Sequence, residues 1–145
     1  MSFFWSSVGF GGDAFYNDGM VQYLKQDWNA KIVRAAIGVE DQLGVGGMVA
    51  GAGYLSKPFL NWTAMSRVAN SAIENGRYVI LDWHTHNAEE NVADAIKFFK
   101  EAATKYGQFS NVIYEIDDEL GNQSLLEVNM QSELSLRFDP LTRTI

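Results

Sequence analysis

Hydrophobic positions along the chain follow two rhythms, short β-branched runs and longer amphipathic stretches that lie between them. This alternation is typical of βα units that build a parallel sheet. The short runs predict strands over residues 2–5, 31–36, 78–82 and 111–116. Right-handed crossovers would place these strands side by side in chain order. The pattern therefore predicts an α/β fold.

Three amphipathic stretches between the strands predict helices. The first should begin at Asn17 or Asp18, because either residue can cap a helix. The second should span residues 63–75 and stop at Gly76, since glycine best tolerates a left-handed C-cap. The residues expected to face the core are Val21, Leu24 and Trp28 in the first helix, Met65, Val68, Ala69, Ala72 and Ile73 in the second, and Val92, Ile96, Phe99, Ala103 and Tyr106 in the third.

Residues 44–53 form an unusually glycine-rich segment after the second predicted strand. Glycine-rich loops can bind phosphate, but this segment lacks both the Gly-Lys-Ser/Thr ending of a P-loop and the glycine spacing of a dinucleotide-binding turn. We therefore interpret it as a flexible surface loop.

Composition narrows the class of protein. The 145 residues are 47% hydrophobic, enough for the core of one globular domain. A net charge of -7 argues against nucleic acid as a partner. No apolar stretch approaches the roughly 18 residues that a membrane span needs, and no signal-peptide pattern follows Met1. The absence of cysteine excludes disulfides and thiolate metal sites but leaves the compartment open.

Arg34 is the first residue with candidate chemistry. Strand alternation aims it to the same side as Ile32 and Ala36. A buried guanidinium is costly unless carboxylates pair with it. Two interpretations have equal weight on the residues alone, a structural ion pair and an active-site charge that orients a carboxylate.

Asp82 and His84 lie two positions apart on the third predicted strand and therefore face the same side. His86 continues the row, and these are the only histidines in the chain. The pair could simply be satisfied by neighbouring carboxylates, or it could contact substrate. A metal site that adds Glu89 and Glu90 is a third interpretation, which we favour least because such short spacings often occur by chance.

Four carboxylates crowd the end of the last predicted strand, Glu115, Asp117, Asp118 and Glu119. Crowding and partial burial raise carboxyl pKa values, as a general acid at neutral pH requires. A solvated acidic turn is the alternative interpretation. The position at the carboxyl end of a parallel strand favours catalysis, because barrel enzymes keep their chemistry there.

Several segments in the right order resemble family 5 glycoside hydrolases, the cellulases and endoglucanases. They are residues 3–6 (FFWS), 27–30 (DWNA), 33–36 (VRAA), 53–55 (GYL), 78–84 (YVILDWH) and 111–116 (NVIYEI). The resemblance implies a fragment of a (β/α) TIM barrel with about four of the eight βα units. Residues 1–120 would be the N-terminal half of that barrel, and residues 121–145 a divergent tail that does not match the family.

The resemblance also implies roles for residues. Glu119 would be the catalytic acid/base of a retaining hydrolase of β-1,4-glucan that uses no cofactor and no metal. Substrate-binding roles would fall to Arg34, to His84 and to Asp118, which stands where the family has asparagine. Because sugar rings stack on aromatic side chains, the remaining candidates for binding are Trp83, Tyr54 and, ranked last, Trp5.

The resemblance also sets limits on activity. The family carries its nucleophile on the seventh strand, so we expect a truncated hydrolase with little or no activity by itself. Alternatives are a half-barrel that binds glucan or a partner without turnover, and a metal-dependent hydrolase that uses His84 and His86. Exposed barrel edges would favour self-association. The family is typically secreted, although no signal peptide is evident here.

Overall fold

A computed structural model describes residues 1–3, 5–6, 12–43, 49–86 and 90–116. Its elements in chain order are a 3₁₀ helix (Gly12–Phe15), α1 (Asp18–Gln26), β1 (Ile32–Gly38), β2 (Gln42–Leu43), β3 (Val49–Gly51), α2 (Pro58–Glu74), β4 (Tyr78–His84), α3 (Val92–Tyr106) and β5 (Val112–Glu115). Within these ranges, no helix is both long enough and apolar enough to cross a membrane.

The main sheet is parallel and has the strand order β1-β4-β5. Its register places Ala36 opposite Asp82 and Asp82 opposite Glu115. On the other side of β1, Ser2 forms an isolated parallel bridge with Arg34. The predicted strands at residues 31–36, 78–82 and 111–116 are confirmed, and the first one is present only as this bridge.

Helix α1 starts where its capping residue predicts. The Asn17 side chain accepts a hydrogen bond from the Met20 amide at 2.9 Å, and Val21 and Leu24 are buried. The expectation for Trp28 was wrong, since this residue is 60% exposed. The helix ends at Gln26, so helical spacing no longer determines where Trp28 points.

Helix α2 begins at Pro58, before the predicted position 63. Proline is well suited to the first turn of a helix, and this signal was missed. The predicted stop is confirmed, because Gly76 has a φ of 63°. In α3 the predicted stripe is confirmed in part. Phe99 and Tyr106 are buried, whereas the other predicted residues are only partly buried, and the buried face is completed by Ala95, Phe98 and Ala102.

One face of the sheet packs against the helices and forms the core. Its residues are Val33, Ala35 and Ile37 from β1 and Val79, Leu81 and Trp83 from β4, none of them more than 1% exposed. We call this the outer face, because it would lie outside the strands of a barrel. The opposite, inner face carries Arg34, Asp82, His84 and Glu115, since side chains alternate along a strand.

The glycine-rich segment is only partly a loop. Val49–Gly51 pairs antiparallel with Gln42–Leu43, so the interpretation as a loop was wrong for residues 49–51. Residues 44–48 lie outside the described residues. Gly53 is required by close packing, because a Cβ atom there would lie 2.3 Å from the carbonyl oxygens of Val39 and Glu40.

Candidate active site

The inner face brings together charged residues from three neighbouring strands. Arg34 comes from the middle of β1, Asp82 and His84 from the end of β4, and Glu115 from the end of β5. The strands are parallel and in register, so residues far apart in sequence meet near the carboxyl edge of the sheet. Strand alternation predicted the shared side of Asp82 and His84 correctly.

Arg34 is held between two carboxylates. Its Nη2 lies 2.9 Å from Asp82 Oδ2, and its Nε lies 2.6 Å from Glu115 Oε2. The Arg34 side chain is 18% exposed and that of Asp82 is fully buried. These distances show the ion pair that the first interpretation of Arg34 required. The 18% exposure of the Arg34 side chain is also compatible with the second interpretation.

His84 joins the same cluster through one ring nitrogen. Its Nδ1 lies 3.1 Å from Asp82 Oδ2 and 3.4 Å from Arg34 Nη2, and the residue is 4% exposed. The Trp5 ring packs against it with a centroid distance of 4.2 Å, and against His86 at 5.0 Å. Trp5 was ranked last among the candidate aromatic residues, yet it is the one beside this cluster.

The other two aromatic candidates lie in the core. Trp83 is fully buried on the outer face, and Tyr54 is 6% exposed and packs against it with a centroid distance of 5.1 Å. Neither ring is open to a ligand on the inner face, so this geometry corrects the expectation that they stack on sugar. Trp83 neighbours Asp82 and His84 in sequence and therefore points to the opposite side of β4.

Burial dominates the electrostatics of Asp82. It raises the carboxyl pKa above its ordinary value, and the nearby charge of Glu115 acts in the same direction. The hydrogen bond with His84 and the charges of Arg34 and His84 act in the opposite direction. Among the described residues, Asp82 Oδ1 has no hydrogen-bond partner, so Oδ2 makes the contacts of this carboxyl group.

Tyr16 is a neighbour of the site that the sequence did not reveal. Its hydroxyl donates a hydrogen bond to the Ala36 carbonyl oxygen at 2.7 Å. Burial raises its pKa well above the usual range, and the charge of Asp82 contributes in the same direction. Nothing in the local sequence pattern of residues 12–17 indicates this contact.

A second polar group links the loops that follow β1 and β4. The Glu40 carboxylate accepts hydrogen bonds from the Thr85 hydroxyl and, at 3.2 Å, from Asn91 Nδ2. Glu40 was not a candidate in the sequence, because it lies outside every motif. Through these contacts Glu40 joins Thr85, directly after β4, to Asn91, directly before α3.

The metal-site interpretation gains no support from this geometry. The rings of His84 and His86 have a centroid separation of 6.1 Å, with Trp5 against both. In the described part of the chain, no group of three or more histidine or carboxylate side chains could hold a metal ion.

The proposed acid/base Glu119 and its neighbour Asp118 lie outside the described residues. Strand β5 precedes them in the chain and ends at Glu115, which pairs with Arg34. Their roles therefore remain predictions.

Comparisons with known proteins agree on one family. Residues 2–131 match the cellulase family, glycosyl hydrolase family 5. The chain is 47% identical over 118 residues to endoglucanase Z of Dickeya dadantii. A solved structure from Cytophaga hutchinsonii is 36% identical with a TM-score of 0.78. The catalytic domain of a Thermobifida fusca endoglucanase in complex with cellotetraose is 26% identical with a TM-score of 0.62.

Coverage differs between the chain and these proteins. The match with endoglucanase Z includes 81% of this chain and 26% of that protein. The two structures match 94% and 88% of this chain, which corresponds to 42% and 38% of their own chains. The chain thus spans about a quarter of the length of the curated relatives it matches. It is a partial TIM barrel, and it belongs to glycosyl hydrolase family 5, the cellulases.

Proposed function

We propose that this chain supplies the acid/base side of an active site that hydrolyses β-1,4-glucan with retention of configuration. Glu119 is the acid/base in this proposal. The observation that carries it is Arg34, held between Asp82 and Glu115 on the inner face with His84 beside it. Such a fixed guanidinium at the carboxyl edge of a barrel sheet can orient a carboxyl group or a sugar hydroxyl.

Retaining hydrolysis needs two carboxyl groups about 5 to 5.5 Å apart. One protonates the leaving oxygen, and the other forms the glycosyl-enzyme. Glu119 follows Glu115 closely in sequence, and Glu115 is the last residue of β5 and pairs with Arg34. The nucleophile would come from the seventh strand of a complete barrel.

Glucan as the substrate is supported by the names of the relatives. The Dickeya dadantii protein is an endoglucanase, and the Thermobifida fusca domain binds cellotetraose. Trp5 supports a sugar ligand independently, because its half-buried ring lies against His84 and His86 on the inner side. Aromatic rings with both an apolar body and a polar tip are common at binding surfaces.

Asp118 changes one contact of the proposed mechanism. An ionised carboxylate can accept but cannot donate a hydrogen bond, whereas the asparagine of the family can do both. A second negative charge beside Glu119 also holds the Glu119 proton more tightly. We therefore expect Asp118→Asn to increase the activity of an assembled barrel, with an optimum at lower pH.

The 145-residue polypeptide by itself should release little or no reducing sugar from β-glucan, because it carries the acid/base without the seventh-strand nucleophile. Measurable release by the purified polypeptide would overturn this part of the proposal.

The acid/base assignment is tested by complementation. The chain is co-expressed with the C-terminal half of a family 5 catalytic domain, and reducing-sugar release from β-glucan is measured. Glu119→Gln should lower the rate by about 10²- to 10⁴-fold, the usual contribution of general acid–base catalysis. Glu101→Gln is the matched control, because Glu101 is an exposed residue of α3, and it should leave the rate unchanged. Equal rates for both variants would overturn the assignment.

The same assembly separates the alternatives. Cellotetraose binding by the chain, without turnover after complementation, would favour a half-barrel that only binds glucan. Loss of activity on dialysis against a chelator would favour the alternative of a metal-dependent hydrolase that uses His84 and His86.

Self-association is a further proposal about partners. Strand β5 has no neighbouring strand beyond it among the described residues, and Ile113 on it is 42% exposed. Edge strands with exposed apolar side chains favour pairing with another chain. Sedimentation velocity over a range of concentrations should show a dimer, and Ile113→Lys should abolish it.

A further inference from the structure

We propose that a groove between α2 and α3 binds a short oligosaccharide that carries carboxylate groups, that is, an oligomer of a uronic acid. The groove has a volume of about 450 Å³, and its lining consists of Trp62 from α2 and of Lys97, Lys100, Glu101, Thr104 and Lys105 from α3. We call it the basic groove. The proposal does not rest on the proposed hydrolysis, because it concerns another part of the molecule.

The basic groove lies on the helical side of the sheet. The Trp62 ring packs against Phe98 with a centroid distance of 5.6 Å, and Phe98 packs against Trp83 at 5.1 Å. Trp83 points to the outer face of β4, whereas Asp82 and Arg34 belong to the charged cluster of the inner face. A ligand in the basic groove is therefore separated from the candidate active site by the sheet.

Lys105 is held in the groove by three contacts. Its Nζ donates a hydrogen bond to Ser66 Oγ at 3.2 Å, and it lies 5.9 Å from the ring centroid of Trp62 and 5.0 Å from that of Tyr106. An ammonium group has three donors, so the bond to Ser66 leaves two for a ligand. The aromatic contacts restrain the ammonium group without neutralising its charge. Lys105 is thus a preorganised group for binding an anion.

Lys97 and Lys100 add two exposed positive charges on the same side of α3, since residues three or four positions apart are neighbours on a helix. Three lysines and one glutamate give the lining a formal charge of +2, in a chain whose net charge is -7. Within the part of the chain that the structure describes, no carboxylate forms an ion pair with any of these three lysines. The basic groove is therefore complementary to an anionic ligand.

The spacing of the lysines favours a ligand with several charges. Lys97 and Lys105 lie eight positions apart on α3, which corresponds to about 12 Å along the helix axis. A single phosphate or carboxylate group cannot pair with both ends of this row. Carboxylates on successive sugar rings can, because they are distributed along the ligand.

Trp62 favours a sugar over other polyanions. Its ring is only partly buried and lines the groove beside the lysines. The apolar face of a sugar ring can stack on such an aromatic side chain, whereas a linear polyphosphate has no apolar face. The net charge of -7 disfavours the dense phosphate backbone of a nucleic acid. Because the chain belongs to a family of glycan hydrolases, an acidic oligosaccharide fits the ring, the lysines and the family together.

A matched pair of ligands tests the role of charge. Cellotetraose and its C6-oxidised counterpart, a β-1,4-linked tetraglucuronate, differ only in their carboxylates. The nitrogen-15-labelled chain is titrated with each ligand, and the indole signal of Trp62 is followed. It should shift with tetraglucuronate and not with cellotetraose, and the affinity should fall as the salt concentration rises. An unchanged signal with tetraglucuronate, or an equal shift with both ligands, would overturn the proposal.

Single substitutions test the lysines. Lys105→Gln should weaken the binding of tetraglucuronate about tenfold, as the loss of a hydrogen bond to a charged group does. Lys97→Gln and Lys100→Gln should each weaken it by up to about fivefold, the range for exposed ion pairs. Both side chains are exposed, so these two variants keep the test valid even if Lys105→Gln destabilises α3.

Lys31→Gln is the matched control, because Lys31 is an exposed lysine outside the groove. It should leave the affinity for tetraglucuronate unchanged. Equal affinities for the control and the groove variants would overturn the role of the lysines.

Two further probes test the assignment to a sugar. Tripolyphosphate and a short single-stranded oligonucleotide should each shift the Trp62 signal less than tetraglucuronate does at the same concentration. An equal or larger shift with either probe would overturn the assignment. The signal of Trp5 reports separately on the inner face, so failure of the proposed hydrolysis would leave the result for Trp62 untouched.

Discussion

The two faces of strand β4 show how one short sequence contributes to both a hydrophobic core and a charged cluster. Leu81 and Trp83 point to the outer face, where they are fully buried against the helices. Asp82 and His84 point to the inner face, where they are also almost fully buried but contact charged groups. Equal burial therefore has opposite effects on the free energy of folding on the two sides of the same strand.

The difference lies in what burial costs. An apolar side chain gains about 25 cal/mol per Å² of area removed from water, so the outer face stabilises the fold directly. A carboxylate loses hydration on burial, and pairing offsets this loss only when the geometry is good. Burial of the apolar outer face therefore has to offset the desolvation cost of the charged cluster on the inner face.

The largest loss of stability is expected from removing a large buried side chain of the outer face. Trp83 packs against Tyr54 and Phe98, with ring centroids 5.1 Å apart in both pairs. Trp83→Ala should lower the free energy of unfolding by about 3 to 5 kcal/mol, the usual cost of removing a large buried aromatic side chain. Urea unfolding measures this difference.

Trp28→Ala is the matched control, because Trp28 is 60% exposed. It should change the free energy of unfolding by less than about 0.5 kcal/mol, as most surface substitutions do. Similar losses in the two variants would contradict the assignment of the outer face as the core.

A large loss of stability that depends on pH is expected from removing the ion pair of the inner face. Arg34→Met leaves Asp82 buried without its guanidinium partner and should cost about 3 kcal/mol at neutral pH, at the low end for a buried pair because Arg34 is 18% exposed. Urea unfolding should be measured across the acid range, with Arg34→Lys as the variant that keeps the charge.

The sign of the pH dependence follows from the raised pKa of Asp82. A carboxyl group with a raised folded-state pKa adds stability below its unfolded pKa, and this stability is lost as the pH rises through the folded value. Without Arg34 the folded pKa rises further. The deficit of Arg34→Met should therefore shrink as the pH falls, and a deficit that stays constant would show that Asp82 is not the cause.

The smallest effect compares two tyrosine hydroxyls. Tyr16 donates to the Ala36 carbonyl at 2.7 Å beside the inner cluster, whereas Tyr114 donates to the Ala102 carbonyl at 3.5 Å on the outer side. Tyr16→Phe should lower the free energy of unfolding by about 1 kcal/mol, the net contribution of one good hydrogen bond. Tyr114→Phe should cost less, because its bond is at the limit of length. The reverse order in thermal or urea unfolding would contradict the comparison.

Much of the fold could be predicted from local pattern. The β-branched runs identified β1, β4 and β5, and the roles of Asn17 and Gly76 followed from capping chemistry. Errors arose where two signals competed. Pro58 suits the first turn of a helix, and α2 begins there. The apolar periodicity alone indicated a later start.

Only part of the candidate site could be predicted in the same way. Alternation placed Asp82 and His84 on one side of β4. The same alternation places Trp83 on the other side, which argues against a role of Trp83 in stacking on sugar. The contact of Arg34 with Glu115 joins residues 81 positions apart, and only the tertiary register of three strands reveals it. Tyr16 and Glu40 lie in loops beside the site, where the sequence has no periodic pattern that could predict their contacts.

The most direct test of the central claim, that the inner face binds glucan while the outer face is core, is a cellotetraose titration of the nitrogen-15-labelled chain. The chain has four tryptophans, so the indole signals can be assigned individually. If the inner face binds glucan, the signals of Trp5 and of the His84 ring should shift with added sugar, while that of the fully buried Trp83 should not. A shift of Trp83 without any change at Trp5 and His84 would contradict this claim.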